Sequence, residues 1–482
     1  MLIEDLFRPR WHEQMEEVIK NMVASVIKNE QVIINEIKDW EESDKRKLML
    51  VGEKYYRGKM DIIEEKKRDA AWKSNLKLVH GYVKKLVDQK VGYVLSKQPS
   101  VTSESEGYQK KLDEIFDAGM INRLRKVGKE AVNKGVAYLH PYFNEDGKFS
   151  FMRFPAEQII PFYVDSEGMK IESFLRVYET EHYEGTTKKT LKKIEHYHSE
   201  GIDRYVLEGS TLILDIPAGG KQGYHFLLGK QPVLWEKIPL VHFRYNEEEQ
   251  PLIEQIKSLI DNYNTQASTN ADVLADIPNF IYKLINYGGV DLEEFIRELN
   301  IYRTVKTDEN GDVDKLTADI QTEANEKELD RTRKAIYELG RGVDTLNENL
   351  GNASGVALKF RYSDLDLDCN ILESEMQSSI EHMMWFITHY LQMIGEGDFT
   401  EEKVKFVFNR DIITNEMEAV EMCEKSTGVL DDQTVRENHP WYTPEVEDRL
   451  AKQKAEEQKD IDEYQEALEK QRQAQTGMNS DE

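Results

Sequence analysis

Three stretches carry side chains at spacings that could do chemistry. In "RYSDLDLDC", Asp364, Asp366 and Asp368 alternate, so on a strand all three carboxylates would share one face and could hold the divalent cation of a metal-dependent nuclease. The plainer reading is an acidic loop leading into a helix N-terminus, where carboxylates suit the helix dipole. In "HYH", His196 and His198 share a strand face, but no third ligand is apparent, and the pair reads as surface histidines. "DENGDVDKLTAD" resembles an incomplete calcium loop, yet Val313 stands where glycine is needed and Asp319 where the bidentate glutamate belongs. A hairpin turn at Asn310-Gly311 is expected there instead. Neither "GGKQG" nor "GEKYYRGKM" has the spacing of a phosphate-binding loop, and no GxSxG elbow occurs. The expectation is a chain that is not an enzyme, with no catalytic residues, no metal and no cofactor. The alternative is a nuclease built on Asp364, Asp366 and Asp368.

The elements around these stretches follow from periodicity. Residues 1–135 are mostly helical in pattern, and Leu76, Val79, Val83, Val87, Val91 and Leu95 recur at steps of three and four until Pro99 stops the run. Residues 136–245 change to short β-type runs, with a hairpin signalled at Asp146-Gly147. "PLIEQIKSLIDNYNTQASTNADVLAD" returns to helix with Leu252, Ile256, Leu259, Tyr263, Ala267, Ala271 and Leu274 on one face, and Pro278 ends it. A compact insertion follows at 279–318, with a strand "FIYKLI" and a helix "DLEEFIRELN". A second long helix is expected over 321–349, where Leu329, Ile336, Val343 and Leu350 recur every seven residues and Leu339 and Leu346 fill the intermediate positions. Such a narrow seam packs on another helix. A third helix is expected over 368–395, with Ile371, Met376, Ile380, Met383, Ile387, Tyr390, Leu391 and Ile394 on its face. Between the last two helices lies "LGNASGVALKF", small and nearly uncharged, which asks for a backbone that bends or approaches something closely.

With 482 residues, two or more lobes are expected. The formal charge of −27 argues against a protein that wraps nucleic acid, because affinity for phosphate comes from Lys and Arg. It is compatible with one that lets DNA pass. Two cysteines, Cys369 and Cys423, are too few for a disulfide framework and suit a reducing compartment. The opening "MLIEDLFRPRWHEQ" has no signal-peptide run, and no stretch approaches the length of a membrane span, so a soluble protein without membrane partners is expected.

Four stretches together resemble the portal proteins of tailed double-stranded DNA bacteriophages, in the branch typical of long-tailed phages of Gram-positive hosts. They are "KYYRGKMDI" with "NLKLVHGYVKKLVDQKVGYVLSKQP", "GVAYLHPYFNEDGKFSFMRFPAEQIIPFYVD", "IPLVHFRYNEEEQPLIEQIKSLIDNYN", and "FNRDIITNEMEAVEMCEKSTGVLDDQTVRENHPWY". The resemblance implies an α+β, mainly helical portal fold with wing, stem, clip and crown, assembled as a ring, usually of twelve copies, at one capsid vertex of the virion. Such a ring nucleates procapsid assembly with the scaffolding and major capsid proteins and docks the large terminase subunit. It passes double-stranded DNA during packaging and ejection, and later joins the head-tail adaptor. The implied divisions are wing 1–245 (helical lobe 1–135, β-rich lobe 136–245), stem helix 246–277, clip 278–320 and second stem helix 321–349. They continue with tunnel loop 350–361, return helix and strand 362–410, and crown with polar tail 411–482. On this resemblance, Asn352, Ala353, Ser354, Gly355 and Val356 line the channel, with Lys359 and Arg361 beside it. Glu293, Glu294, Arg297 and Glu298 are the clip contacts, and Leu329, Ile336, Leu339, Val343 and Leu346 pack the stem. Another virion connector ring is the nearest alternative.

Overall fold

Asn29 accepts a hydrogen bond from the Gln31 N–H (2.9 Å) and so caps helix α1, Glu30–Glu42. Ser43 ends α1 and caps α2, Asp44–Tyr56. The computed structural model describes residues 29–67, 73–144, 147–164, 170–276, 281–285, 291, 293, 301, 310–316, 322–346, 355–410, 416–443, 446, 449–450 and 452–453. The chain divides into two units, Met1–Asp344 with Tyr362–Asp411, and Thr345–Arg361 with Ile412–Glu482.

In the first unit, α3 (Tyr82–Val94) precedes strand β1 (Ser100–Ser103), α4 (Glu106–Ile115) and α5 (Ala118–Lys134). Gly135 closes α5 at φ 86°, and a Cβ there would lie 1.9 Å from the Glu249 carbonyl oxygen, so only glycine fits. The chain then enters β2 (Val136–Phe143) and β3 (Phe149–Phe154), which pair antiparallel across the turn at Gly147 as the Asp-Gly signal predicts. Strand β12 (Val241–Arg244) adds to the other edge of β2. A larger antiparallel sheet runs β4 (Ile159–Tyr163), β5 (Ile171–Glu184), β6 (Thr187–His198), β7 (Gly201–Glu208) and β8 (Thr211–Leu214), with the short β9 (Lys221–Gln222) also on β7, and a small hairpin of β10 (Phe226–Leu228) and β11 (Gln231–Val233) follows. Ile33, Ile34 and Ile37 of α1 are buried against Ile160, Leu175, Ile194 and Leu212 of that sheet.

Helix α6 spans Leu252–Asp276 and packs on α7, Thr322–Leu339. Between them β13 (Ile281–Ile285) pairs antiparallel with β14 (Asp312–Leu316), Ile281 opposite Leu316. At the other end a Cβ on Gly340 would lie 3.6 Å from Ile256, so α6 and α7 run antiparallel. The long α8, Gly355–Met393, buries Leu365, Cys369, Leu372, Met376, Ile380, Met383, Phe386, Ile387 and Leu391 in one core with α3, α5, α6 and α7. Strand β15 (Val404–Val407) returns to pair with β1. In the second unit the described elements beyond the start of α8 are α9 (Glu416–Ser426) and α10 (Asp432–Glu437), the latter capped by Asp431.

Four expectations are corrected. The stripe from Leu76 is helical only from Tyr82, and residues 74–80 form no helix. The buried residues of α6 are Leu252, Ile253, Ile256, Ile260, Asn264 and Ser268, so of the expected stripe Leu252 and Ile256 are buried, Leu259, Tyr263, Ala267 and Ala271 are half-buried, and Leu274 is exposed. The second long helix stops at Leu339, because Gly340, Arg341 (φ 46°) and Gly342 turn the chain. The third helix begins at Gly355, so Gly355, Val356, Lys359 and Arg361 are helical rather than part of a loop.

The polar positions on α6 have a geometric cause. Asn264 Oδ1 accepts from His80 N–H (3.0 Å), Ser268 Oγ from Leu78 N–H (3.0 Å), Asp272 Oδ1 from Leu76 N–H (2.6 Å) and Asp276 Oδ1 from Ser74 N–H (2.8 Å). Four residues of helix advance about 6.0 Å, and two of extended chain about 6.6 Å, so the two periods stay in step. The extended segment thus satisfies alternate N–H groups on a helix instead of on a neighbouring strand.

Candidate DNA-channel segment and its anchorage

Helix α3 holds both flanks of the segment that the portal resemblance marks as a channel loop. On the entering side, Gln89 brackets one residue, its Nε2 donating to the Val343 carbonyl (3.1 Å) and its Oε1 accepting from Val343 N–H (3.0 Å). Lys90, fully buried, donates to the Arg341 carbonyl (3.1 Å) and to Asp368 Oδ2 of α8 (2.6 Å). Tyr245 donates to the same oxygen (2.6 Å), and Arg341 Nη1 stands 3.6 Å from the other. Burial pulls the Lys90 ammonium below its usual range, opposed by the Asp368 charge, and pushes the Cys369 thiol up to about 12. Gly340 and Gly342 permit this turn, since a Cβ would fall 2.7 Å and 2.2 Å from the Leu86 methyls. Asp344, the last residue of the entering flank, accepts from Arg333 Nη2 (2.6 Å).

This arrangement also decides the aspartate cluster. On a helix, residues two apart point about 200° apart, so Asp366 faces away from Asp364 and Asp368, which lie one turn apart on the other side, and the three do not converge. Asp364 is exposed, Asp366 accepts from Tyr93 OH (2.9 Å) and faces Arg410 Nη1 (3.4 Å), and Asp368 belongs to Lys90. Arg410 also pairs with Glu373 and donates to Asn370 (2.7 Å). The nuclease reading loses its cation site. Sequence reasoning missed Gln89, Lys90, Tyr245 and Arg410, whose partners are distant in the chain. The Gly-Arg-Gly break inside an apolar helical pattern was the available signal.

The remaining expected positions fall as follows. Asn352, Ala353 and Ser354, and Glu294, Arg297 and Glu298, lie outside the described residues; Arg361 and Glu293 are exposed. Of the heptad seam, Ile336 and Val343 are buried, Leu329 is half-buried, and Leu339 and Leu346 are 52% and 68% exposed. His196 is a buried residue rather than a surface one, with His198 and Asp203 beside it.

The family model for phage portal proteins of the SPP1 Gp6-like type matches residues 35–466. The chain belongs to the phage portal protein family. The portal protein of Bacillus phage SPP1 is 29% identical over 455 residues, covering 91% of this chain and 89% of its own. That of Clostridium phage phiCD119 is 27% identical over 420 residues, covering 82% and 90%. Among solved structures, a chain in the virion of a native gene transfer agent particle aligns over 82% of this chain and 93% of its own, at TM-score 0.42 and 12% identity. The portal chain is therefore a structural connector of the phage virion rather than an enzyme, with an α+β fold. No helix among its described residues is long and apolar enough to cross a membrane.

Proposed function

We propose that the portal chain closes into a dodecameric ring at one capsid vertex, nucleates procapsid assembly with the scaffolding and capsid proteins, and passes double-stranded DNA during packaging and ejection. In this reading residues 1–245 are the wing, α6 and α7 the stem, β13–β14 with the residues between them the clip, and residues 411–482 the crown. The terminase large subunit, and later a head-tail adaptor, would meet the clip at Glu293, Glu294, Arg297 and Glu298.

The observation that carries ring assembly is apolar surface left on the stem pair. Although α6 and α7 pack on each other, Val273, Leu274 and Leu339 remain exposed. A heterologous contact in a closed ring covers such side chains with the next subunit. The −27 charge supports a channel that repels the duplex and keeps it moving, since a basic wall would tie each step to counterion release. Small residues at Asn352, Ala353, Ser354, Gly355 and Val356 suit the crowding of many copies at an axis, with Lys359 and Arg361 as the nearby cations.

Native mass spectrometry and electron microscopy of the purified chain test the ring. About a dozen subunits around a central channel are expected, and a monomer or dimer at every salt concentration refutes it. Deleting Asn352 to Gly355 should leave rings intact and impair packaging or retention of DNA; normal packaging by the deletion would remove the loop from the proposal.

A further inference from the structure

The β6–β7 hairpin turns through Ser199 and Glu200 with His198 opposite Gly201, which sets His196 directly opposite Asp203. Alternation puts His198 on the face of His196. Three donor side chains thus converge from two adjacent strands, with one ligand atom from each lying within 4.8 Å of the others. The two imidazole rings are 5.0 Å apart, and His198 Nε2 is 3.7 Å from Asp203 Oδ1. They face a cavity of about 390 Å³ that Ile33, Glu200, Tyr205, Lys221, Gln222 and Gly223 also line.

We propose that His196, His198 and Asp203 form a binding site for a divalent transition metal of the Zn²⁺ class. Two imidazole nitrogens are borderline ligands and outweigh the one hard carboxylate, which favours Zn²⁺, Co²⁺ or Ni²⁺ over Mg²⁺ or Ca²⁺. The carboxylate is held in a suitable orientation, because Tyr205 OH donates to Asp203 Oδ2 (3.2 Å) and leaves Oδ1 towards His198. The ring of His198 is steadied through its own backbone, whose carbonyl accepts from His225 Nε2–H (2.9 Å). Tetrahedral bonds of 2.0–2.1 Å separate ligand atoms by about 3.3 Å, so closing the site needs movements of about 1 Å by the half-buried His198 and Asp203. The fourth position opens on the cavity, where water, or Glu200 from the turn, can fill it.

Two features oppose binding and set its character. Glu200 N–H donates to His198 Nδ1 (3.2 Å), which keeps the ring proton on Nε2, towards Asp203. A metal at Nε2 requires the other tautomer, with the proton on Nδ1 and the exposed Glu200 N–H turned to water. Lys221 pairs across β9 with Asp203 and adds a positive charge to the rim. The site is therefore a clamp of modest affinity that ties β6 to β7 and weakens as acid protonates the histidines.

The test uses the full chain, stripped with chelator and titrated with Co²⁺ and then Zn²⁺, reading visible d–d absorption, stoichiometry by equilibrium dialysis and thermal midpoint. One Co²⁺ per subunit is expected, displaced by Zn²⁺ and indifferent to excess Mg²⁺. Asp203→Asn should weaken binding at least tenfold, and His198→Gln should abolish it. Circular dichroism checks that both half-buried variants fold. No saturable uptake by the unmutated chain would overturn the proposal, as would unchanged stoichiometry and affinity in the two variants, which would assign the metal to other histidines.

Discussion

Asn264→Ala should release the top of the extended segment from α6. Asn264 is wholly buried, its Oδ1 accepts from His80 N–H (3.0 Å) with the His80 Nδ1 at 2.9 Å, and its Nδ2 reaches the Met60 sulfur. Truncation leaves the His80 N–H without its acceptor in a place closed to water, a penalty of about 1–3 kcal/mol. At about 1.4 kcal/mol per factor of ten, exchange of the His80 amide proton should quicken by roughly 5- to 150-fold where local opening governs it. Ser268→Ala should act in the same way at Leu78, and Asp276→Ala, at the exposed end, should cost less than either. Hydrogen exchange followed by mass spectrometry reads all three, with the β2–β3 hairpin as an internal standard. Unchanged protection at residues 78–80 in Asn264→Ala would refute the ladder as the force that holds the segment extended.

Gly342→Ala should destabilise the chain by about 1–3 kcal/mol through overpacking on Leu86, read as a lower thermal midpoint that Leu86→Val partly restores. Lys90→Met should cost about 3–5 kcal/mol because it strands the Asp368 charge, and Lys90→Met with Asp368→Asn should cost less than the two singles combined; additive urea midpoints would dissolve the pair. Burial, opposed by the bond that His140 donates to the Pro239 carbonyl, holds its ring down to about 3, and burial beside Lys237 and His242 holds His382 down to about 4. Below pH 6.5 the unfolded chain binds protons these rings refuse, so each should remove up to about 1.4 kcal/mol of stability per pH unit down to about pH 4, and His140→Gln should flatten that slope.

What was legible in the sequence was whatever depends on near neighbours. The β2–β3 hairpin followed from alternation around Asp146-Gly147, the strands β5 to β8 from β-type runs, and the helical register of α8 from Met376 onwards from its apolar spacing, although Ile371, read on the same face, is exposed. What failed depended on distant partners. The apolar stripe read on α6 holds at Leu252 and Ile256, but further along the buried positions are Asn264 and Ser268, because there the helix packs against bare backbone N–H groups, which call for acceptors rather than hydrocarbon. Heptad spacing carried the second long helix past Leu339 because periodicity counts apolar positions and ignores that Leu86 leaves no room for a side chain at 340 or 342. The aspartates suggested an acidic helix N-terminus, with a cation site as the alternative, and neither holds: they lie inside α8, and the Lys90 and Arg410 that neutralise Asp368 and Asp366 are far off in sequence.

One of the misses was recoverable from the sequence by arithmetic. "HYHSEGID" places Gly201 three residues after His198, and a two-residue turn that pairs 198 with 201 must pair 196 with 203. Asp203, the third side chain of the proposed site, sits five residues beyond the last histidine, across the turn. Spacing along one strand hides it, and spacing folded about a hairpin reveals it. The same folding of the chain on itself governs the proposed channel segment: α3 joins residues 341 and 343 to residue 368, so the length of chain between them can vary in composition while its two ends stay fixed. Exchanging residues 351–354 for other small residues should therefore leave the hydrogen bonds of Gln89 and Lys90 intact, whereas Gln89→Ala should loosen the entering flank with the segment's own sequence untouched.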